Sequence, residues 1–278
     1  MNYFLSRARR HPSFIVGVFL CLCLGAAALV SFVWLSGVAF EVRMDQKLML
    51  PSQQYWLGTD ALGRDIALML LAGSRSSIMV GIVAVGIGLG IGVLLGLWAA
   101  AAKGWTEEII MRACDFSFAF PAILLAIMIT AVWGPGMINA IIAIGIFNIP
   151  VFARITRASA QTIWSLDYVL AAGACGKGKF RITIDHVLPN IMAVLIVQAT
   201  IQFALAILAE AALSYLGLGT QPPEPSWGRM LSDAQSLLFQ APRLAVFPGV
   251  AIALAVLGLN LMGDGLRDLL DPKMSRQR

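Results

Sequence analysis

Glu210 is the acidic residue that stands well inside a long apolar run, residues 191–213, close to the run's outer end. An ionisable group at such depth costs roughly 2.5–3.5 kcal/mol on insertion scales, so it marks a polar pathway, a gate or a paired contact. Gln198 and Gln202 lie four residues apart on the same run and so share a helical face. Asn148 and Asn260 place carboxamides in two other runs. Asn148, Gln198, Gln202 and Glu210 are therefore the candidates for a translocation path or gate. Interhelical hydrogen bonding is the alternative for the amides, and a capping contact with an outer-loop backbone is the alternative for Glu210.

Other reactive constellations are absent from the runs. No Ser/His pair, paired carboxylates or ligand set lies inside one, so no catalytic, cofactor-binding or metal site is assigned to this chain. His11 and His186 both fall outside the runs, which leaves no imidazole to pass a transition metal along. The segment Thr59-Asp60 to Gly63-Arg64-Asp65 brings carboxylates together, but with fewer oxygens than a calcium ion requires. A helix start capped by Asp60, with an Asp60–Arg64 ion pair, accounts for it. No G-x-x-x-x-G-K-[ST] loop is present, so the chain has no visible means of using ATP by itself. Cys21 and Cys23 lie in a run and Cys114 and Cys175 on the inner side, which implies no disulfide framework.

The second informative stretch is a polar island, residues 165–190, between two apolar runs. Leu166, Val169, Leu170 and Gly173 recur at i, i+3, i+4, i+7, and Phe180, Ile184, Val187 and Leu188 repeat the pattern after Gly176-Lys177-Gly178. The spacing predicts two short amphipathic helices hinged at glycine. Ser165 is expected to cap the first, Asp167 to sit in its positive first turn, and Pro189 to open the next helix. Lys177, Lys179 and Arg181 make the island basic, which suits either a protein dock or an anionic lipid surface.

The elements that must position these residues follow from composition. Charged residues are 13% of 278 and apolar types 59%, so most of the chain faces lipid or a large interior. Six runs are long enough to cross about 30 Å of hydrocarbon: residues 14–35, 78–102, 116–133, 137–153, 191–213 and 244–262. The first has the look of a cleaved signal peptide, but it continues apolar to Leu35 and reads as a signal anchor. Of twenty Lys and Arg residues, fourteen fall in one set of loops: Arg7, Arg9, Arg10, Lys103, Arg112, Arg154, Arg157, Lys177, Lys179, Arg181, Arg267, Lys273, Arg276 and Arg278. The other set holds Arg43, Lys47, Arg64, Arg75, Arg229 and Arg243. The richer set is expected inside, with both termini and the polar island cytoplasmic. This asymmetry accounts for the net charge of +5 without nucleic acid.

The chain reads as one membrane unit: 1–77, an N-terminal tail, first span and outer loop; 78–262, a core of five spans carrying the cytoplasmic loop 154–190; and 263–278, a cytoplasmic tail. In the second run Ala84, Gly88, Gly92, Gly96 and Ala100 recur every four residues, a small-residue face against which another helix backbone can pack closely.

Ala171-Ala172, Gly176 and Leu188-Pro189 resemble the cytoplasmic "EAA" loop of permease subunits in binding-protein-dependent, ATP-driven importers. Leu170 stands where that loop's naming glutamate would be. Trp56-Leu57-Gly58-Thr59-Asp60-Ala61-Leu62-Gly63-Arg64-Asp65, the stretch from Leu208 to Gly219 and Gly263-Asp264-Gly265-Leu266-Arg267-Asp268 with Asp271-Pro272 are similar to motifs of the C-type permeases for dipeptides, oligopeptides and nickel. The resemblance implies an all-α integral membrane protein with the type I ABC importer permease core and a coupling helix. It implies a second permease subunit, two cytoplasmic ATPase subunits that bind ATP and magnesium, and an extracytoplasmic solute-binding protein, in a bacterial inner membrane. It also implies that Asp167, Tyr168, Ala171, Ala172, Gly176, Lys177, Lys179, Leu188 and Pro189 form the ATPase-coupling site of a dipeptide or oligopeptide importer. A nickel or other small-solute importer shares this architecture. An ion-coupled secondary carrier would place ionisable groups near mid-membrane or show interrupted, pseudo-symmetric helices, and neither is evident.

Overall fold

The computed structural model describes residue 8, residues 11–35 and residues 41–270. The expectations placed on Arg7, Arg9, Arg10, Asp271, Pro272, Lys273, Arg276 and Arg278 lie outside the described residues. Helices dominate, in the order α1 (Pro12–Trp34), α2 (Ile66–Ala102), α3 (Trp105–Phe118), α4 (Ala122–Trp133), α5 (Met137–Trp164), α6 (Asp167–Ala174), α7 (Lys179–Ile182), α8 (Leu188–Tyr215), α9 (Trp227–Ala234) and α10 (Arg243–Leu270). Among the described residues the extended pairing is a lone antiparallel bridge, Thr59 with Asp65.

Five helices are long and apolar enough to cross a membrane, and a sixth crossing exists if α3 and α4 are taken together. The apolar runs locate these crossings but understate their lengths. α2 begins at Ile66 and has 37 residues, about 55 Å at 1.5 Å per residue, so it stands well clear of the hydrocarbon at one end. α5 continues past residue 153 to Trp164. The expectation of one straight span over 116–133 is corrected: α3 and α4 meet at an 82° bend. Pro121 stands at the N-cap of α4, and the residue before a proline is pushed out of helical conformation, so the chain breaks there.

α2 and α5 make the broadest helix contact among the described residues, and the small-residue face explains it. A Cβ at Gly88 would lie 2.4 Å from the Asn148 Cβ, one at Gly92 2.5 Å from the Ile149 carbonyl oxygen, and one at Gly96 2.5 Å from the Ala153 carbonyl oxygen. The backbones touch because there is no side chain between them. A second close approach was not read from the sequence. A Cβ at Gly17 of α1 would lie 2.4 Å from the Met262 nitrogen, and one at Gly258 of α10 would meet the Leu20 Cβ at 2.7 Å. α1 is thereby seated on α10 with few of its own side chains buried.

On the face opposite α6, residues 41–65 fold over the protruding end of α2. Asp60 accepts hydrogen bonds from the backbone of Leu62 and Arg64, both at 2.8 Å, and pairs with Arg64 Nε at 2.6 Å. The expected ion pair is present, but the expected cap is corrected: Asp65 caps α2, accepting from the Ala67 N–H at 2.8 Å. Asp60 instead closes the turn before it.

Candidate functional site

The polar island folds differently from its periodicity in one respect. α6 is a short helix by itself, whereas α7 runs through a π turn (Thr183–Val187) directly into α8. Pro189 explains the turn. It has no N–H, and its ring would clash with the carbonyl four residues back in a regular helix. Lengthening the hydrogen-bond step from four residues to five, as in Leu188 N–H to the Thr183 carbonyl, gives that carbonyl room. Pro189 therefore sits early in α8 but does not start a separate helix. Ser165 is also corrected: α6 has Leu166 at its N-cap, while Ser165 ends α5 and donates to the Thr162 carbonyl at 2.8 Å.

Asp167 lies in the first turn of α6, as its charge favours. Asp167, Tyr168, Ala171, Gly176, Lys179 and Pro189 are exposed, and Ala172, Lys177 and Leu188 are half-buried. Gly176 takes a left-handed φ of +83° with open space where a Cβ would be. The predicted apolar faces split in two. Val169, Ile182 and Val187 turn inward and form one cluster with Ala172 and Leu188. Leu166, Leu170, Phe180 and Ile184 stay outside, with Leu170 58% and Phe180 77% exposed. Burying Val169 anchors α6, and the other apolar side chains of this strip are left uncovered by the described residues.

Polar contacts hold α6 from both ends. Lys177 Nζ lies 2.8 Å from Asp185 Oδ2 and 3.0 Å from His186 Nε2. Asn190 Nδ2 donates to the Tyr168 hydroxyl at 3.2 Å and to the His186 carbonyl at 2.6 Å. The rings of Tyr168 and His186 meet edge to face with centroids 6.0 Å apart. On the same side, Glu107 of α3 accepts from Arg157 Nε at 2.7 Å and from Gln161 Nε2 at 2.6 Å, and Asp115 pairs with Arg154. In the sequence these arginines serve only as topology signals, because the acids facing them come from another helix.

Deeper in the bundle, Asn148 of α5 and Gln202 of α8 are both buried and line one cavity of about 210 Å³. The remaining walls are apolar, including Ile123 and Ala126 of α4, Phe147, Leu205 and Leu213. Asn148 Nδ2 has no hydrogen-bond partner among the described residues. Gln198 is half-buried and does not line this cavity, and Asn260 is exposed.

Glu210 sits apart from that cavity. It is 1% exposed, and Oε1 accepts the Ser214 hydroxyl at 2.6 Å and the Thr220 hydroxyl at 3.4 Å. Ser214 Oγ in turn accepts the Thr220 backbone N–H at 2.9 Å. α9 then packs back on α8 and α2: a Cβ at Gly228 would lie 2.2 Å from the Ala211 carbonyl oxygen, and the Trp227 indole donates to the Leu70 carbonyl of α2 at 2.9 Å. Through Ser214, Glu210 Oε1 is thus tied to the connecting loop, while Glu210 Oε2 is buried with no hydrogen-bond partner among the described residues. Ser214 and Thr220, its partners, were not singled out from the sequence, although Ser214 is four residues on and faces it by helical spacing.

Comparison with known proteins places this geometry among transporters. The family described as "Binding-protein-dependent transport system inner membrane component" matches residues 92–276. The chain is 42% identical over 266 residues to the glutathione transport system permease protein GsiD of Pectobacterium atrosepticum, covering 96% of this chain and 88% of that one. It is 46% identical to the dipeptide transport system permease protein DppC of Alkalihalophilus pseudofirmus, covering 84% and 77%. It is 48% identical to the di/tripeptide transport system permease protein DppC of Pseudomonas aeruginosa, covering 80% and 73%. Among solved structures, a chain of the inward-facing MetNI methionine ABC transporter superposes with a TM-score of 0.62 at 18% identity, covering 73% of this chain and 97% of that one.

Proposed function

This chain belongs to the binding-protein-dependent inner-membrane permeases of ATP-binding cassette importers, and from that premise we propose that it is the C-type permease subunit of an importer of short peptides. The observation that carries the proposal is α6: an anchored helix whose outer side chains, Leu166, Leu170 and the neighbouring Phe180 and Ile184, await a partner. In this reading the partner is a cytoplasmic ATPase. Two such ATPases bind ATP and magnesium, a second permease subunit completes the path, and an extracytoplasmic solute-binding protein delivers substrate on the opposite face. The α6 side is cytoplasmic and both termini lie there, in a bacterial inner membrane, as the Lys and Arg distribution favours.

The chain itself performs no bond chemistry. Its work is mechanical: nucleotide-driven movement of the ATPases displaces α6, and the tilt of α8 and α5 that follows opens or closes the path. Asn148 and Gln202 contribute neutral donors and acceptors to that path, which suits peptide amides of varied side chain. The names of the relatives support peptides over nickel as cargo. The test is gentle solubilisation of native membranes with this chain tagged, followed by mass spectrometry. Recovery of two ATPases and a second permease supports the reading; recovery of this chain alone, active without ATP, refutes it.

A further inference from the structure

We propose that His186 is a positioning residue that locks the first turn of α6 and the loop that follows it to the π turn at the foot of α8, so that displacement of α6 reaches the membrane helix as a rigid movement. The proposal rests on the coupling role given to α6 above and names the residues through which it acts.

The geometry is a two-point clamp. Past the C-terminal end of α6, Lys177 Nζ reaches Asp185 Oδ2 at 2.8 Å and His186 Nε2 at 3.0 Å. An ammonium has donors only, so Nε2 is the acceptor and the ring proton sits on Nδ1. At the N-terminal end, Tyr168 lays its ring against the same imidazole at 6.0 Å, and its hydroxyl accepts from Asn190, which also holds the His186 carbonyl at 2.6 Å. His186 is therefore touched by Tyr168 in the first turn of α6, an eight-residue helix, and by Lys177, three residues beyond its last. The apolar seat of α6 is small, the buried Val169 with the half-buried Ala172 beside it, and the polar contacts to His186 on either side of that seat oppose rotation of α6 about it.

The receiving element is suited to the task. The π turn at Thr183–Val187 runs without a break into α8 just before Pro189, so the element that receives the contacts belongs to the same helix as the span. The same continuous helix carries Gln202 into the cavity and Glu210 to the opposite face. Movement delivered at His186 thus has a direct route to both.

The experiment uses the assembled complex, purified through this chain, and measures hydrogen exchange before and after trapping with a non-hydrolysable ATP analogue. In the native complex, segments 167–174 and 183–190 respond together. In His186→Leu, 167–174 still responds, but the response of 183–190 falls about fivefold, as expected for loss of partly exposed polar contacts. His186→Gln, which keeps an acceptor near the Nε2 position, restores it. Lys177→Met tests the same contact from its other partner if His186→Leu fails to assemble. An undiminished response of 183–190 in His186→Leu, or in Lys177→Met where His186→Leu does not assemble, overturns the clamp. Failure of the native chain to recover ATPases refutes the importer reading instead.

Discussion

Ser214 donates its hydroxyl to the buried carboxylate oxygen of Glu210 at 2.6 Å, and through that serine the floor of a membrane helix is tied to the loop that leaves it. The depth of Glu210 made it a candidate for the transport path. Its surroundings support the other role, an anchor for the segment between α8 and α9.

Ser214→Ala removes the short contact to Glu210 and leaves the Thr220 N–H without its acceptor. The expected cost is about 1–3 kcal/mol, read as a lowered thermal unfolding midpoint in detergent. Glu210→Gln keeps an acceptor oxygen and should cost less. If both variants melt with the native protein while uptake collapses in Glu210→Gln, the residue belongs to the path instead.

Gly176 and Gly178 form a matched pair for testing the coupling loop. Gly176 has φ +83°, whereas Gly178 has φ −66°, and a methyl group added to either would meet no atom within 4 Å among the described residues. A side chain in the left-handed region costs about 1–2 kcal/mol. Gly176→Val should assemble and hydrolyse ATP but lose most uptake, while Gly178→Ala behaves as native. Equal transport by the two variants would remove the loop from the coupling path.

Packing of α2 on α5 gives a stability prediction with its own control. A Cβ at Gly92 would meet the Ile149 carbonyl oxygen at 2.5 Å and the Phe152 Cβ at 2.7 Å, whereas one at Gly90, on the same helix, would meet nothing within 4 Å. Gly92→Val should destabilise by about 1–3 kcal/mol or more through overpacking. Gly90→Val should leave the melting temperature close to native, since no atom among the described residues lies within 4 Å of the added Cβ. A comparable loss in both would mean that helix propensity, not the close approach, is the cause.

Asn148 separates stability from transport. Its Nδ2 is buried without a partner among the described residues, so replacing the carboxamide with an apolar side chain of similar size removes an unsatisfied group and should not destabilise the fold. Asn148→Leu is expected to be as stable as native and to carry less peptide. A less stable protein with normal uptake would assign Asn148 to helix packing.

Much of this architecture is legible in the sequence because lipid imposes a simple code. Long apolar runs mark spans, and the four-residue spacing of Gly88, Gly92 and Gly96 marks a close-packing face on α2, though not that α5 fills it. What periodicity misses is where a continuous backbone bends. The 82° turn at Pro121 and the π turn before Pro189 arise from local steric conflicts that leave the hydrophobic pattern unchanged. The island shows a second limit. Leu166, Val169 and Leu170 carry the same apolar signal, yet Val169 is 1% exposed and Leu170 58%, because spacing defines a face and only packing decides which edge of it is covered. Pairings between separate elements, such as Glu107 of α3 with Arg157 of α5 or Lys177 of the loop after α6 with His186, depend on the fold and have no sequence signature.

Coupling of partner ATPases to peptide uptake can be read directly in proteoliposomes containing the complex purified through this chain. Uptake of dialanine and of glutathione would be followed with the co-purified binding protein, with and without ATP. The expected result is accumulation of at least one of these probes that requires both ATP and the binding protein. Accumulation that proceeds without ATP and follows an imposed ion gradient would show that the chain is not the permease of an ATP-driven importer.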